Sequence, residues 1–404
     1  MQTIRAVIGK GFGDEGKGLA TDFFCSKSSN SLVIKHNGGA QSGHTVETDG
    51  KRFVFHQLSA GSFRNADTFW ADSYYPDLYK LGEEIEEFHS VSGMCPKIYC
   101  DAQTGVTLID DILINMLLEL SRGVERHGSC GMGINECDLR TKAGFGITVI
   151  DIISSSAEEV VKKIADIRRG YGVQRLSELG LSKQSAMTSK MSDLFDVLSS
   201  QTVIENAVDE MKRSAEKYMT VCDDVAKFLE GYEQIIFETG QGLLLDSENR
   251  EFAPHVTASR TGLYNPCRIL SKYGLKLTEA VYVTRSYVTR HGDGPLPYEC
   301  TEDELGIIFP DETNVYNDWQ GYLRYALHGS VEEFIKPVKD DLEECGGEIP
   351  ASLFITHLNE THGKLLTTCG DISSWLYIID PMIKTVFSSF YFSYSKTGAA
   401  KAGI

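Results

Sequence analysis

Proline is scarce in this 404-residue chain, ten in all and none clustered, and no Pro-, Gly- or Ser-rich linker interrupts it. A hinge between two domains therefore has little support, and residues 1–404 are expected to form one large domain. No CxxC pair occurs among the ten cysteines, which are scattered from Cys25 to Cys369. That spacing excludes a zinc cassette and the dense framework of a small secreted module, and predicts reduced thiols in a cytoplasmic protein. Basic residues are in deficit, 39 Lys+Arg against 57 Asp+Glu, for a net charge of −18. A field of that sign repels polyphosphate backbones and anionic lipid, so neither a nucleic-acid partner nor a membrane is expected. It does not forbid a small nucleotide in a locally basic pocket. No apolar run approaches the roughly 20 residues that span a bilayer. The opening, MQTIRAVIGKGFG, lacks the basic-then-apolar order of a signal peptide. With 42% hydrophobic and 24% charged residues the chain has the balance of an ordinary globular protein.

What is present is a series of short, continuous apolar runs, each leading into a polar or glycine-rich loop. Residues 3–8, 32–34, 234–237, 280–283 and 353–355 have this form. Unbroken rather than alternating runs are the mark of parallel strands buried on both faces, with functional loops at their carboxyl ends. Residues 157–169 show helical spacing with charges outside, and residues 191–229 read as a longer helical region bent near Ser199 and Ser200. Strands alternating with helices predict an α/β fold around a central, mostly parallel sheet.

The first loop, Gly11 to Gly18, reads GFGDEGKG. Gly11-x4-Gly16-Lys17 matches the start of a P-loop-like phosphate-binding loop, in which the backbone at Gly13, Glu15, Gly16 and Gly18 and the Lys17 ammonium hold a polyphosphate. The Ser/Thr that closes such loops is Gly18 here. Asp14 faces phosphates to no advantage unless it binds a metal, takes a proton from an acceptor, or both. The second loop, residues 36–45, reads HNGGAQSGHT, and His44 in it suits a general acid on a developing oxyanion.

GFGDEGKG, GGAQSGHTV, HQLSAGS, FETGQGLLLD, HVTAS and TRHGDGPLP, in that order, resemble the adenylosuccinate synthetase family, from the N-terminus to about Pro297. The resemblance implies a C–N ligase of purine biosynthesis. The γ-phosphate of a nucleoside triphosphate passes to the 6-oxygen of IMP, and the amino group of L-aspartate displaces it. It implies Asp14 as the base and a magnesium ligand, with the Gly43 carbonyl as a second metal contact and Thr45 beside the phosphates. His44 would be the acid, and Lys17 with the loop N–H groups would stabilise the transferred phosphoryl. Gln241 and Thr257 match the acceptor pocket, Ser129 and Cys130 fall where the family has a Thr-Thr pair, and Gln41 where it has asparagine. The family is homodimeric and borrows an arginine from the partner subunit; Arg140 is the nearest candidate.

Three departures bear on substrates. The family's guanine-reading Thr-Lys-Leu-Asp is Thr356-His357-Leu358-Asn359 here, and an asparagine lacks the carboxylate that selects guanine, so relaxed base selectivity, GTP or ATP, is expected. The arginine run of the aspartate loop is absent from residues 312–324, leaving Thr313, Asn314 and Arg324 to bind the carboxylate of aspartate or a similar amino acid. The C-terminal Gly-Pro-x-Arg over the purine is absent, and Lys396 in SYSKTG is its nearest substitute. Relatives that act on dGMP typically carry serine where Asp14 stands, which argues against that branch and puts IMP first as the purine monophosphate; a paralogue using ATP with dGMP, or a different amino donor, is the alternative. A nucleotide-binding protein without chemistry is the competing reading.

Overall fold

The computed structural model describes residues 2–123, 129–307, 321–370, 372–373 and 381–401. Its centre is one sheet of ten strands: β1 (Thr3–Gly9), β2 (Ser31–Lys35), β3 (Asp67–Trp70), β4 (Ile98–Cys100), β5 (Met219–Val221), β6 (Gln234–Gly242), β7 (Glu279–Arg285), β8 (Ala351–Thr356), β9 (Ser389–Ser395) and β10 (Gly398–Lys401). Across the sheet they run β10-β9-β8-β7-β1-β6-β2-β3-β4-β5. Every neighbouring pair is parallel except β9 with β10, a closing hairpin. The five apolar runs became β1, β2, β6, β7 and β8, which lie side by side with β1 in the middle.

Their unbroken hydrophobicity follows from burial on both faces. Along β1, Ala6 and Ile8 enter one core cluster while Val7 enters another; along β2, Leu32 and Ile34 divide from Val33 in the same way. Alternate side chains leave on opposite faces, so both faces need apolar residues. Helices on the two faces supply the cover: α1 (Lys17–Cys25) packs with Val7 and Val33, and the helices Tyr264–Lys272 and Val331–Glu344 with Ala6, Ile8, Leu32 and Ile34. The chain also forms α2 (Leu78–Ser92), α3 (Ile109–Arg122), α4 (Ile134–Arg140) and α5 (Ala157–Ile167). The start of α5 is a capping box, Ser156 accepting from Glu159 N while the Glu159 carboxylate accepts from Ser156 N at 2.8 Å.

The stretch 191–229 differs from expectation. Two helices, Ser189–Ser199 and Gln201–Tyr218, meet at Ser200, whose extended backbone (φ −77°, ψ 125°) breaks the ladder between the two serines. After Tyr218 the chain turns extended and pairs with β4 as the edge strand β5, and a helix resumes only at Val225–Glu230, so a strand interrupts the region that periodicity read as helical. The acidic run EEIEE (83–87), which its charge alone would read as a solvated face, is partly internal. Glu84 is buried and accepts from the backbone N–H groups of His56, Gln57 and Leu58 at 2.9 to 3.0 Å. Among the described residues no helix is long and apolar enough to cross a membrane.

Candidate active site

The loops that follow β1, β6 and β2 are neighbours because β6 is inserted between the other two strands. They meet at the carboxyl edge of the sheet, where an open parallel sheet presents its binding crevice. At the end of β1 the chain closes back on itself: Glu15 Oε1 accepts from Gly11 N at 2.6 Å, and Glu15 Oε2 accepts from Lys17 Nζ at 3.2 Å. The Glu15 carboxylate therefore faces inward. Expected as a phosphate contact, it offers a phosphate only its backbone, since its side chain is spent on the loop itself. Gly16, left-handed at φ 89°, opens α1 without any side-chain cap, so the first N–H groups of the helix are left for an anion. Lys17, the first residue of α1, is buried beside them.

Gly18 has a steric cause. A Cβ there would stand 3.0 Å from the Thr45 carbonyl oxygen and 3.1 Å from His44 Cβ. The second loop packs so closely on α1 that the hydroxyl residue of ordinary phosphate loops has no room.

Asp14 holds φ at +56°, a left-handed conformation that non-glycine residues adopt at a cost. Its carbonyl accepts from Arg285 Nε at 2.5 Å, and its half-exposed carboxylate lies 3.3 Å from His291 Nε2. His44 opens the hairpin His44–Thr48/Lys51–Phe55. Its Nδ1 stands at ion-pair distance, 3.2 Å, from Glu238 Oε2, and neither Nδ1 nor the equally buried Nε2 has a hydrogen-bond partner among the described residues. Glu238 on β6 also lies 3.6 Å from Lys35 Nζ and accepts from Ala60 N. Burial alone would raise the Glu238 carboxyl; His44, Lys35 and the Ala60 N–H outweigh that and hold it down at about 2. Burial in turn pushes the His44 imidazole below its ordinary value, against the pull of Glu238. The result is a carboxylate beside Nδ1 of an imidazole whose Nε2 has no such neighbour among the described residues.

The acceptor side forms around Gly38. A Cβ on that glycine would lie 2.8 Å from Gln41 Nε2 and 2.9 Å from Gln241 Nε2, so the two glutamines converge there. Gln241 Oε1 accepts from Asn37 Nδ2 at 2.9 Å, whereas Gln41 Oε1 is buried without a hydrogen-bond partner among the described residues. Gly38 N donates to Ser259 Oγ at 2.9 Å, tying the HVTAS stretch and its Thr257 to the same loop. Ser129 Oγ donates to Asn115 Oδ1 at 3.0 Å, and Cys130 follows it in the turn leading to α4. Ile134 at the start of α4 abuts Gly39, which brings that turn toward the pocket. His56, in the HQLSAGS stretch, packs on this loop: its Nδ1 is 2.9 Å from the Ser42 carbonyl, beside Gly43.

On the opposite flank, Thr356 closes β8 and His357 turns left-handed at φ 58°, leaving Asn359 exposed. Leu358 N donates to the Ser393 carbonyl at 3.2 Å, so the β9–β10 hairpin carrying the exposed Lys396 sits beside this loop.

Two expectations fail. Arg140 is fully buried; its fork binds Asp111 at 2.8 and 2.9 Å and its remaining donors take the Phe145 and Val106 carbonyls. A guanidinium satisfied inside its own subunit cannot serve a neighbour's substrate. Arg324 is likewise spent, binding Glu299 at 2.5 and 2.8 Å and the Gly292 and Gly294 carbonyls, so it clamps the RHGDG turn instead of a ligand carboxylate. Thr313 and Asn314 lie outside the described residues. The residues that sequence reasoning missed are Glu238, Lys35, Arg285 and His291. For Glu238 the signal was there: one carboxylate at the end of the apolar run IIFE, at a depth where only a partnered charge survives.

A family model described as adenylosuccinate synthetase matches residues 6–317. The chain belongs to the adenylosuccinate synthetase family. Relatives include the adenylosuccinate synthetase of Gloeothece citriformis, 28% identical over 310 residues, a match taking in 76% of this chain and 64% of that protein. That of Desulfitobacterium hafniense is 26% identical over 328 residues, 79% of this chain and 70% of its own length. Less than two thirds of the cyanobacterial protein is thus represented. Among solved structures, the fully ligated adenylosuccinate synthetase of Plasmodium falciparum superposes with a TM-score of 0.64 at 18% identity, over 96% of this chain and 86% of that one. The succinoaminodeoxyadenylate synthetase of cyanophage S-2L, bound to dGMP and dATP, gives 0.59 at 14% identity, over 100% and 96%. Both likenesses extend the shared fold beyond residue 317, through the strands β8 to β10.

Proposed function

We propose that this chain is a ligase that phosphorylates the 6-oxygen of a purine nucleoside monophosphate, IMP first, with GTP or ATP and then exchanges the phosphate for the amine of an amino acid, aspartate first. The observation that carries this reading is the pair of opposed groups on adjacent loops. Asp14 is fixed in the phosphate loop, and His44 has Nδ1 beside the Glu238 carboxylate and Nε2 without a contact of that kind among the described residues. A binding protein has no use for either. The Asp14 carboxylate removes the ring N–H proton, which makes the lactam oxygen nucleophilic; Lys17 and the uncapped N–H groups of α1 stabilise the passing phosphoryl. His44 meets the developing charge on the 6-oxygen through Nε2, and when the amine attacks the same residue assists the departing phosphate. Gln41 and Gln241 hold the base edge.

Magnesium fits the donor set. One partly exposed carboxylate, Asp14, and the Gly43 carbonyl are hard oxygen donors of the kind that bind this ion while phosphates and water fill its other positions. When bound it neutralises phosphate charge.

The cyanophage enzyme is bound to dGMP and dATP, and its length is nearly that of this chain, so dGMP with ATP is the second reading to be assayed. Asp14 in this chain favours IMP. The deciding experiment incubates the purified protein with magnesium and L-aspartate, crossing GTP and ATP with IMP and dGMP, and follows phosphate release and product mass. A succinyl adduct on IMP is the expected product. An adduct on dGMP alone supports the second reading, and no phosphate release with any pair refutes both.

A further inference from the structure

The last residues of β8 and β7 are tied to the phosphate loop at two consecutive peptides. Thr356 Oγ1 donates to the Glu15 carbonyl at 2.8 Å, and Arg285 Nε donates to the Asp14 carbonyl at 2.5 Å. The arginine is the middle of a longer chain. Its Nη1 donates to the Tyr287 hydroxyl oxygen at 3.0 Å, and that hydroxyl donates to Glu360 Oε2 at 2.5 Å. Glu360 directly follows the exposed Asn359. Arg285 and Tyr287 are buried, and the Arg285 carbonyl lies 3.0 Å from His328 Nε2, so the middle of the chain is held rigidly. At its far end stands Asp14 at φ +56°, a conformation that persists only where surroundings fix it.

We propose that Glu360, Tyr287 and Arg285 form a strut that sets the position of Asp14 from the loop expected to meet the donor base. This rests on the reading of the site given above. The strut residues are positioning residues: they touch neither phosphate nor acceptor, and they act by holding the Asp14 peptide. A base seated against residues 357–360 orders Glu360, and the order reaches the phosphate loop through two hydrogen bonds that run inside the protein. Donor selectivity is then expressed in kcat, because a poorly seated base leaves the carboxylate misplaced even when the triphosphate is bound.

Three variants of the full-length protein test this: Tyr287→Phe, which deletes only the hydroxyl; Glu360→Ala; and Glu360→Gln, which keeps an acceptor oxygen for Tyr287. Two readouts are taken. Hydrogen exchange of the ligand-free proteins reads the peptide spanning residues 10–18. Steady-state kinetics with the most active substrate pair reads kcat and KM separately. The expected result is faster exchange of that peptide in Tyr287→Phe and Glu360→Ala, with β2 and β6 unchanged. A fall in kcat of about tenfold or more accompanies it, at KM values for acceptor and amino donor within about twofold, since misplacement of a reacting group is paid in the chemical step. Glu360→Gln restores most of both. Unchanged exchange of residues 10–18 in Tyr287→Phe overturns the strut, as does a loss of Glu360→Gln equal to that of Glu360→Ala. If the wild-type protein turns over no substrate pair, the proposed function fails, and the exchange measurement alone still decides the strut.

Discussion

Glu238→Gln is the most informative single change. Glu238 lies at the end of β6, with His44 Nδ1 at 3.2 Å and Lys35 Nζ at 3.6 Å from one oxygen. Its carboxyl sits at about 2 against an ordinary 4.5, a drop of about 2.5 units, which at 1.36 kcal/mol per unit is on the order of 3 kcal/mol favouring the ionised form. The sign follows: because the folded value lies below the unfolded one, this contribution is present above pH 4.5 and is lost as pH falls toward 2. Glutamine keeps the volume and one acceptor but removes the charge, leaving Lys35 buried beside a neutral amide. Truncating one partner of a buried pair costs about 3–5 kcal/mol. Urea denaturation at pH 7 should therefore show a loss of roughly 3 kcal/mol, and the gap to wild type should shrink at pH 3. Turnover should fall by a further about 10²-fold at a pH and temperature where both proteins are folded, because His44 loses the group that orients it. A variant as stable as wild type at pH 7, or one with unchanged kcat, refutes the grip of Glu238 on His44.

Other consequences are checkable by the same means. Burial raises the Asp77 carboxyl from 3.8 to about 7, so the folded state holds the extra proton and stability from this group is lost as pH rises through that window. Asp77→Asn should accordingly gain on wild type between pH 4 and pH 8, by up to ~4 kcal/mol in urea denaturation; a pH-independent difference contradicts this. Arg140→Lys should lower stability by about 2–4 kcal/mol while leaving the KM of each substrate within about twofold; a selective rise in acceptor KM would return Arg140 to the site. Asn359→Asp should shift the ratio of kcat/KM for GTP over ATP upward by about tenfold or more, and an unchanged ratio removes residue 359 from base recognition.

The parts of the molecule that were legible from sequence are those in which one residue's chemistry settles the matter. Buried parallel strands need side chains that are apolar on both faces, so β1, β2, β6, β7 and β8 could be read as uninterrupted runs. Glycines crowded about a lysine and an aspartate at a strand end could be read as a phosphate loop. The misses share a different cause: a long polar side chain can point either way, and sequence does not say which. Glu15 was expected to offer phosphates its backbone, and sequence left open where its side chain goes: it turns back to Gly11 N and Lys17. Glu84, inside an acidic run, has three backbone N–H groups waiting for it under α2. Arg140 and Arg324 were chosen as cations near a site that needed cations, and both had already been claimed, by Asp111 and by Glu299. A charged residue becomes a site residue only after its internal partners are counted. By that measure the missing arginine run is not made good by Arg324, and the proposed aspartate would need its carboxylates met elsewhere.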